Sequence, residues 1–212
     1  MPAIDDEIMT TLIWTVITFF TGSLPFSVWL GRLALRTDIR RYGDQNPGAT
    51  NVARAGGWQW GALALFLDMM KGALPVGLAW YWGGLSDWAL LPVALAPVVG
   101  HAYSPFLRFQ GGKALAVTVG VWGGLTVGEG PLVLATLLLI WYALIAVDGW
   151  AVLLTGLSFG AYLLITDKEA YLLAIWAGNM LLVAWKHRTD LAGLPHLRPW
   201  LHKIGSGQAQ RE

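Results

Sequence analysis

The chain consists of long apolar runs separated by short segments rich in glycine, proline or charge. An α-helix needs about 20 mostly apolar residues to cross the hydrocarbon core of a bilayer, and it satisfies its own backbone hydrogen bonds there. The pattern therefore predicts an all-α, polytopic membrane protein with about seven transmembrane helices. The runs span residues 8–35, 60–82, 88–107, 115–127, 131–147, 150–165 and 171–185.

Two of these runs depart from a simple crossing. The first is long and contains Gly22-Ser23-Leu24-Pro25, and a proline inside a helix removes a hydrogen bond and kinks or ends the helix. We predict a break there, and the run at 115–127 is short for a crossing. Residues 1–204 are expected to form one transmembrane helical domain, followed by a disordered polar tail at 205–212.

Composition supports a membrane location. Hydrophobic residues make up 56% of the 212 positions and charged residues 13%, which is more apolar and less charged than an ordinary soluble domain. The chain has no cysteine, which excludes disulfides, thiol nucleophiles and thiolate metal sites. The histidines lack the close spacing of metalloprotease ligands. We expect no metal, no cofactor and no nucleic acid.

Charge placement predicts the topology. Basic residues accumulate in cytoplasmic loops of membrane proteins. With the N-terminus outside and the C-terminus cytoplasmic, all but two of the 14 Lys and Arg residues lie on the inner side. The acidic residues that then lie outside are Asp5, Asp6, Glu7, Asp87, Glu129, Asp167 and Glu169.

Two glycine-containing segments fall on the predicted inner face. The first contains Arg40, Asn46, Gly48, Thr50 and Asn51. Glycine lets backbone amides turn toward an anion, Asn and Thr are neutral donors, and arginine binds phosphate bidentately. An ordinary polar interfacial loop is an equal alternative from spacing alone.

The second segment is Gly111-Gly112-Lys113 at the start of a helical run, where free amides, the helix dipole and an ammonium group can meet one phosphate. Ala114 stands where a nucleotide P-loop needs Ser or Thr, so nucleotide triphosphate binding is disfavoured. A flexible turn with a snorkelling lysine is the alternative.

Ionisable residues inside or beside the runs are further candidates. Asp68 and Lys71 lie three apart in an apolar run, where such groups are costly and face the protein interior or a wet cavity. His187 could bind phosphate or move a proton, or be one more basic interfacial residue, and Asp190 lies three positions later. His101 is placed similarly at the inner end of a run.

One motif is rejected. Gly156-Leu157-Ser158-Phe159-Gly160 matches the serine-hydrolase elbow, but that motif needs a strand-to-helix turn. We interpret it, like Gly120 and Gly124, as a small-residue face for helix packing.

These motifs together resemble the bacterial acyl-phosphate-dependent glycerol-3-phosphate acyltransferases. The matching segments are Gly22-Ser23-Leu24-Pro25-Phe26, Asp38-Ile39-Arg40, Asn46-Pro47-Gly48-Ala49-Thr50-Asn51, Asp68 with Lys71-Gly72, Gly100-His101, Phe109-Gln110-Gly111-Gly112-Lys113 and His187-Arg188. They occur in the family's order and span nearly the whole chain.

The resemblance implies a seven-helix enzyme of the bacterial inner membrane with its site at the cytoplasmic face. Such enzymes transfer an acyl group from acyl phosphate to the first hydroxyl of glycerol 3-phosphate, giving lysophosphatidic acid and phosphate. Expected partners are both substrates, membrane lipid and the enzyme that makes acyl phosphate. The residues to which family roles carry over are Ser23, Arg40, Asn46, Thr50, Asn51, Lys113 and His187. We expect direct attack by the substrate hydroxyl, with Lys113 and Arg40 stabilising phosphate charge and His187 positioning glycerol phosphate or relaying a proton.

The chain departs from the family pattern at several positions. Asp44 and Gln45 stand where Ser and Gly are usual, Ala114 replaces a glycine, and Asp190 replaces an asparagine. The serine-containing turn before the sixth run reads Asp148-Gly149-Trp150-Ala151. A carboxylate at position 44 or 190 would repel phosphate unless it is paired.

Two other functions remain open on the sequence. A small-anion transporter would explain Asp68, Lys71 and the glycine-broken helices, although transporters show repeats and a midplane site. An inactive family member acting as a membrane scaffold would explain the substitutions.

Overall fold

The structure, a computed structural model, describes residues 4–201. The predicted tail at 205–212 and the domain limit at 204 lie outside these residues. Within the described range the chain forms ten α-helices and short 3-10 turns. The helices are α1 (Ile4–Ser23), α2 (Phe26–Leu33), α3 (Ala49–Gly56), α4 (Trp58–Tyr81), α5 (Leu90–Ala102), α6 (Leu115–Thr126), α7 (Glu129–Leu144), α8 (Asp148–Ile165), α9 (Ala170–Lys186) and α10 (Arg188–Leu191).

The described residues confirm the all-helical prediction, and each apolar run contains a helix. Within residues 4–201, four segments are long and apolar enough to cross a membrane: Asp5–Leu33, Trp58–Tyr81, Asp87–Leu107 and Asp148–Ile165. Helices α6, α7 and α9 are apolar but shorter, so seven crossings remain a prediction. Large apolar side chains of α1, such as Leu12, Val16 and Phe20, are more than half exposed, as expected of a surface in contact with lipid.

The predicted break in the first run is confirmed. Helix α1 ends at Ser23, and α2 begins at Phe26 after Pro25. The carbonyl oxygen of Leu24 accepts a hydrogen bond from Lys71 Nζ at 2.8 Å, so a backbone acceptor at the break is satisfied by a side chain of α4.

Glycines bring the helices into close contact. A Cβ atom added at Gly120 of α6 would lie 1.9 Å from the carbonyl oxygen of Met69 in α4, and one at Gly124 would lie 2.6 Å from that of Ala73. In α8, one at Gly156 would lie 1.9 Å from Met180 Sδ of α9. These close approaches confirm the small-residue packing faces.

Several connections meet at one end of the helices. The loop before α3, the turn before α6 and the helix α10 are joined because Lys113 contacts both Asp44 and Asp190. The backbone N–H of Ala146 donates to the carbonyl oxygen of His196 at 3.0 Å, which adds the α7–α8 turn. The loop before α3, the turn before α6, the α7–α8 turn and the segment after α9 are therefore close together.

Candidate active site

A cavity of about 800 Å³ opens at this end of the helices and extends between α4, α6 and α7. Its polar end combines carboxylates, cations, histidines and neutral donors. Its remaining wall is apolar. The polar lining residues are Asp44, Asn46, Thr50, Arg54, Asp68, His101, Lys113, Tyr142, Asp148, His187 and Asp190.

Lys113 lies at the centre of the polar end. Its Nζ is 2.9 Å from Asp44 Oδ2 and 2.8 Å from Asp190 Oδ2. The sequence therefore identified the two carboxylates correctly as groups that need a cation, and the structure pairs both with the same ammonium. Partial burial lowers the pKa of Lys113, but the two carboxylates outweigh it and raise this pKa above its ordinary value, so the ammonium is charged at neutral pH.

The glycine-asparagine loop is tied to the same ion pair. The buried Asn51 side chain donates through Nδ2 to Asp44 Oδ1 at 3.0 Å and to the carbonyl oxygen of Asn46 at 2.9 Å. Asn51 and Lys113 thus contact opposite oxygens of one carboxylate. Burial opposes ionisation of Asp44, but the hydrogen bonds from Lys113, Asn46 and Asn51 outweigh it and lower its pKa.

His187 is buried beside this cluster, directly after α9. Its Nδ1 is 2.9 Å from the carbonyl oxygen of Val183. Because a carbonyl only accepts, Nδ1 carries the proton, and Nε2 of the neutral ring keeps a lone pair. Burial lowers the pKa of His187 below its ordinary value of 6.5, so the neutral ring predominates at neutral pH.

The apolar part of the cavity follows one face of α7. Pro131, Ala135, Leu138 and Tyr142 line it at helical spacing, over a length of about 16 Å. Opposite them lie residues of α4 and α6, including Leu65 and Val119. Ala135 is exposed and Leu65 is 45% exposed, so this groove opens sideways toward the surroundings of the helices.

The predicted site residues divide into two groups. Those that line the cavity are Asn46, Gly48, Thr50, Asp68, His101, Lys113, His187 and Asp190. Those that lie outside its lining are Ser23, Arg40, Asn51, Lys71, Gly111 and Gly112. Asn51 nevertheless contacts the cavity residues Asp44 and Asn46.

Arg40 and Ser23 are engaged elsewhere. The guanidinium of Arg40 pairs with Asp38 through Nε at 2.9 Å and NH2 at 2.7 Å. The hydrogen bonds from Arg40 lower the pKa of Asp38 to about 2. Ser23 is buried, and its Oγ donates to the carbonyl oxygen of Phe19 at 2.7 Å. Their roles with substrate stay predictions.

The glycines of the second segment bring its backbone close to α5. The N–H of Gly112 donates to the carbonyl oxygen of His101 at 3.1 Å. A Cβ atom at Gly111 would lie 1.9 Å from that oxygen, and one at Gly112 would lie 2.3 Å from His101 Nε2. Lys186 Nζ donates to the carbonyl oxygen of Ala102 at 3.0 Å. This packing places Lys113 at the cavity.

Arg54 and Asp148 line the cavity but were not assigned to the site from the sequence. Arg54 lies three positions after Asn51 on α3, and its NH1 donates to Asn51 Oδ1 at 3.0 Å. That helical spacing was a usable signal. Asp148 opens α8, and the neighbouring Trp150 donates through Nε1 to the carbonyl oxygen of Gly193 at 2.7 Å. This long-range contact has no local signal.

A charged end joined to an apolar groove that opens sideways between the helices suits molecules with a polar head and a hydrocarbon tail. The family model described as glycerol-3-phosphate acyltransferase matches residues 12–196, and the chain belongs to this family of integral membrane acyltransferases.

Individual relatives agree with this assignment. A glycerol-3-phosphate acyltransferase of Maridesulfovibrio salexigens is 35% identical over 191 residues, which cover 88% of this chain and 94% of that relative. One of Thermotoga maritima is 34% identical, covering 82% and 93%. The crystal structure of PlsY, an integral membrane glycerol 3-phosphate acyltransferase, in its glycerol 3-phosphate form has a TM-score of 0.78 at 28% identity, covering 92% of this chain and 98% of that one.

Proposed function

We propose that the protein transfers a fatty acyl group from acyl phosphate to the 1-hydroxyl of glycerol 3-phosphate. The products are lysophosphatidic acid and inorganic phosphate. We place the protein in the bacterial cytoplasmic membrane, with the polar end of the cavity facing the cytoplasm, where an enzyme that makes acyl phosphate would supply the donor. The observation that carries the proposal is Lys113 between a loop of neutral donors and a lipid-facing groove.

The reaction needs no protein nucleophile, because acyl phosphate already has a good leaving group. The hydroxyl oxygen of glycerol 3-phosphate attacks the acyl carbonyl carbon, and the bond from that carbon to the phosphate oxygen breaks. Lys113 stabilises the charge that builds up on the leaving phosphate. Arg54, which lines the cavity, is a second cation for a phosphate group.

His187 positions the attacking hydroxyl and accepts its proton. The hydrogen bond from Nδ1 to Val183 fixes the ring and leaves Nε2 as the acceptor. The proton then leaves to solvent or to the released phosphate. The acyl tail lies along α7 in the apolar groove and enters sideways from lipid.

The test is an assay with purified protein, acyl phosphate and glycerol 3-phosphate. We expect phosphate release that requires both substrates and matches the lysophosphatidic acid formed. Release no greater than in a protein-free control, with both substrates intact, would contradict the proposal and favour a scaffold.

A Lys113→Ala variant separates the role of the ammonium from general effects. We expect its kcat/KM to fall by about a hundredfold or more, the loss typical of removing one charge-stabilising group. The matched control is Lys168→Ala, because Lys168 also pairs with a carboxylate, Glu129, at 3.0 Å but lies outside the cavity lining. Equal activity in the two variants would remove Lys113 from the mechanism.

A further inference from the structure

Among residues 4–201, the polar end of the cavity holds more negative than positive charge. Asp44, Asp148 and Asp190 line it together with Lys113 and Arg54, while Asp68 has its own partner in Lys71. The ammonium of Lys113 is already shared by two carboxylates. A phosphate group that reaches Lys113 meets these carboxylates at close range, where like charges repel strongly. One carboxylate must therefore give way.

Exposure and packing identify Asp44 as the carboxylate that moves. Its side chain is 45% exposed and belongs to a loop, whereas the Asp190 side chain is 28% exposed. Asp190 is also confined, because a Cβ atom at Gly149 would lie 2.5 Å from Asp190 Cβ. The ion pair of Asp44 uses Oδ2, while Oδ1 accepts from Asn51 and Asn46. The partly exposed loop position of Asp44 leaves its carboxylate room to move away from Lys113.

We propose that Asp44 is a built-in competitor for Lys113, replaced by the phosphate group of a substrate and returning to displace the phosphate product. The proposal rests on the acyltransferase function above and adds a residue that sets phosphate affinity at its site. The exchange involves no covalent step. The bound phosphate loses its contact with Lys113 as the Asp44 carboxylate regains it. The consequence is weaker binding of the phosphate group that Lys113 contacts, both in acyl phosphate and in the released inorganic phosphate.

The variant Asp44→Asn tests the exchange with little other change. Asparagine keeps an oxygen that accepts from Asn51 and removes the negative charge next to Lys113. We expect inorganic phosphate to bind roughly fivefold more tightly, because it no longer competes with a partly exposed ion pair for Lys113. The KM for acyl phosphate, whose phosphate group is the one assigned to Lys113, should fall by a similar factor, with no increase in kcat. Direct phosphate binding is measured by calorimetry on detergent-purified protein without acyl phosphate.

Control variants make the outcome decisive. Glu129→Gln removes a carboxylate from Lys168, outside the cavity lining, and should leave both constants unchanged. Asp190→Asn should give a smaller gain than Asp44→Asn, because Asp190 is confined. If Asp44→Asn does not fold, Asp44→Ser replaces it, with folding checked by size-exclusion chromatography.

Two results would overturn the inference: phosphate affinity unchanged or weaker in the Asp44 variants, or a larger gain in Asp190→Asn. Its failure is separable from failure of the proposed function. A wild-type protein that transfers acyl groups while Asp44→Asn binds phosphate no better contradicts the competitor alone. A wild-type protein without transferase activity contradicts the reaction, and the binding comparison still decides the role of Asp44.

Discussion

Gln45 and Ala114 have positive φ angles of 62° and 65°. Both stand where the glycerol-3-phosphate acyltransferase pattern has glycine. Glycine adopts the left-handed backbone region without strain. For other residues the left-handed region costs about 1–2 kcal/mol. The loop that carries Asp44 and the turn that carries Lys113 therefore keep a backbone conformation that favours glycine, although Gln45 and Ala114 occupy these positions. The substitutions store local strain on both sides of the ion pair.

Ala114 offers a direct test of that strain. Ala114→Val should lower stability by about 2 kcal/mol, because a β-branched side chain is disfavoured at positive φ and the site is buried. Ala114→Gly should stay within about 1 kcal/mol of the wild type, since relief of strain offsets the lost buried methyl group. Thermal unfolding in detergent measures both. A valine variant as stable as the wild type would contradict the assigned conformation.

The protonation of His187 predicts a pH dependence. Burial lowers its pKa below 6.5, so the neutral, proton-accepting form persists through neutral pH and is lost as the pH falls through the lowered pKa. We expect kcat to be flat near pH 7 and to decline on the acid side below pH 6.5. A His187→Asn variant should retain low activity without that histidine-dependent decline. The same acid limb in both proteins would assign it to the substrate phosphate instead.

At the scale of the helices, the buried pair of Asp68 and Lys71 connects α4 to the break between α1 and α2. The two charges are 2.7 Å apart, and both side chains are almost fully buried. Ser27 Oγ of α2 donates to Asp68 Oδ2 at 2.7 Å, and Lys71 donates to the carbonyl oxygen of Leu24. The pair thus fixes three helical segments and places Asp68 at the cavity wall.

Removing one partner should be far more harmful than removing both. Lys71→Met leaves a buried carboxylate without its cation and should cost about 3–5 kcal/mol. The double variant Asp68→Asn/Lys71→Met should recover most of that loss, because no unpaired charge remains. Thermal unfolding of Lys71→Met, Asp68→Asn and the double variant gives the stabilities that complete the double-mutant cycle. Additive losses would show that the two charges act independently.

The helices and their faces could be predicted because their signals are local. Proline and glycine mark the break at Pro25, and small residues spaced along a helix mark the contact of Gly120 with Met69. The pairing of Lys113 with Asp44 and Asp190 could not be predicted from the sequence, because it depends on how three separate connections pack. The need for a partner was visible in each carboxylate, but the identity of the partner was not.

At the scale of the whole molecule, the two ends differ in chemistry. One end gathers the cavity residues around Lys113. Elsewhere, Lys168 pairs with Glu129 between the α8–α9 turn and the start of α7. The charge distribution along the chain predicts a cytoplasmic position for the end with the cavity. Both proposed substrates carry phosphate groups, and the proposed function needs this orientation if the two are supplied from the cytoplasm.

The chain offers a simple test of orientation because its 212 residues include no cysteine. Single variants Ser86→Cys and Gln110→Cys place one thiol at an exposed position in the α4–α5 and α5–α6 connections, respectively. In intact spheroplasts a membrane-impermeant maleimide should label Cys at position 86 and spare position 110, which becomes reactive after lysis. The opposite pattern would invert the topology and place the phosphate-binding end outside, where acyl phosphate made in the cytoplasm could not reach it.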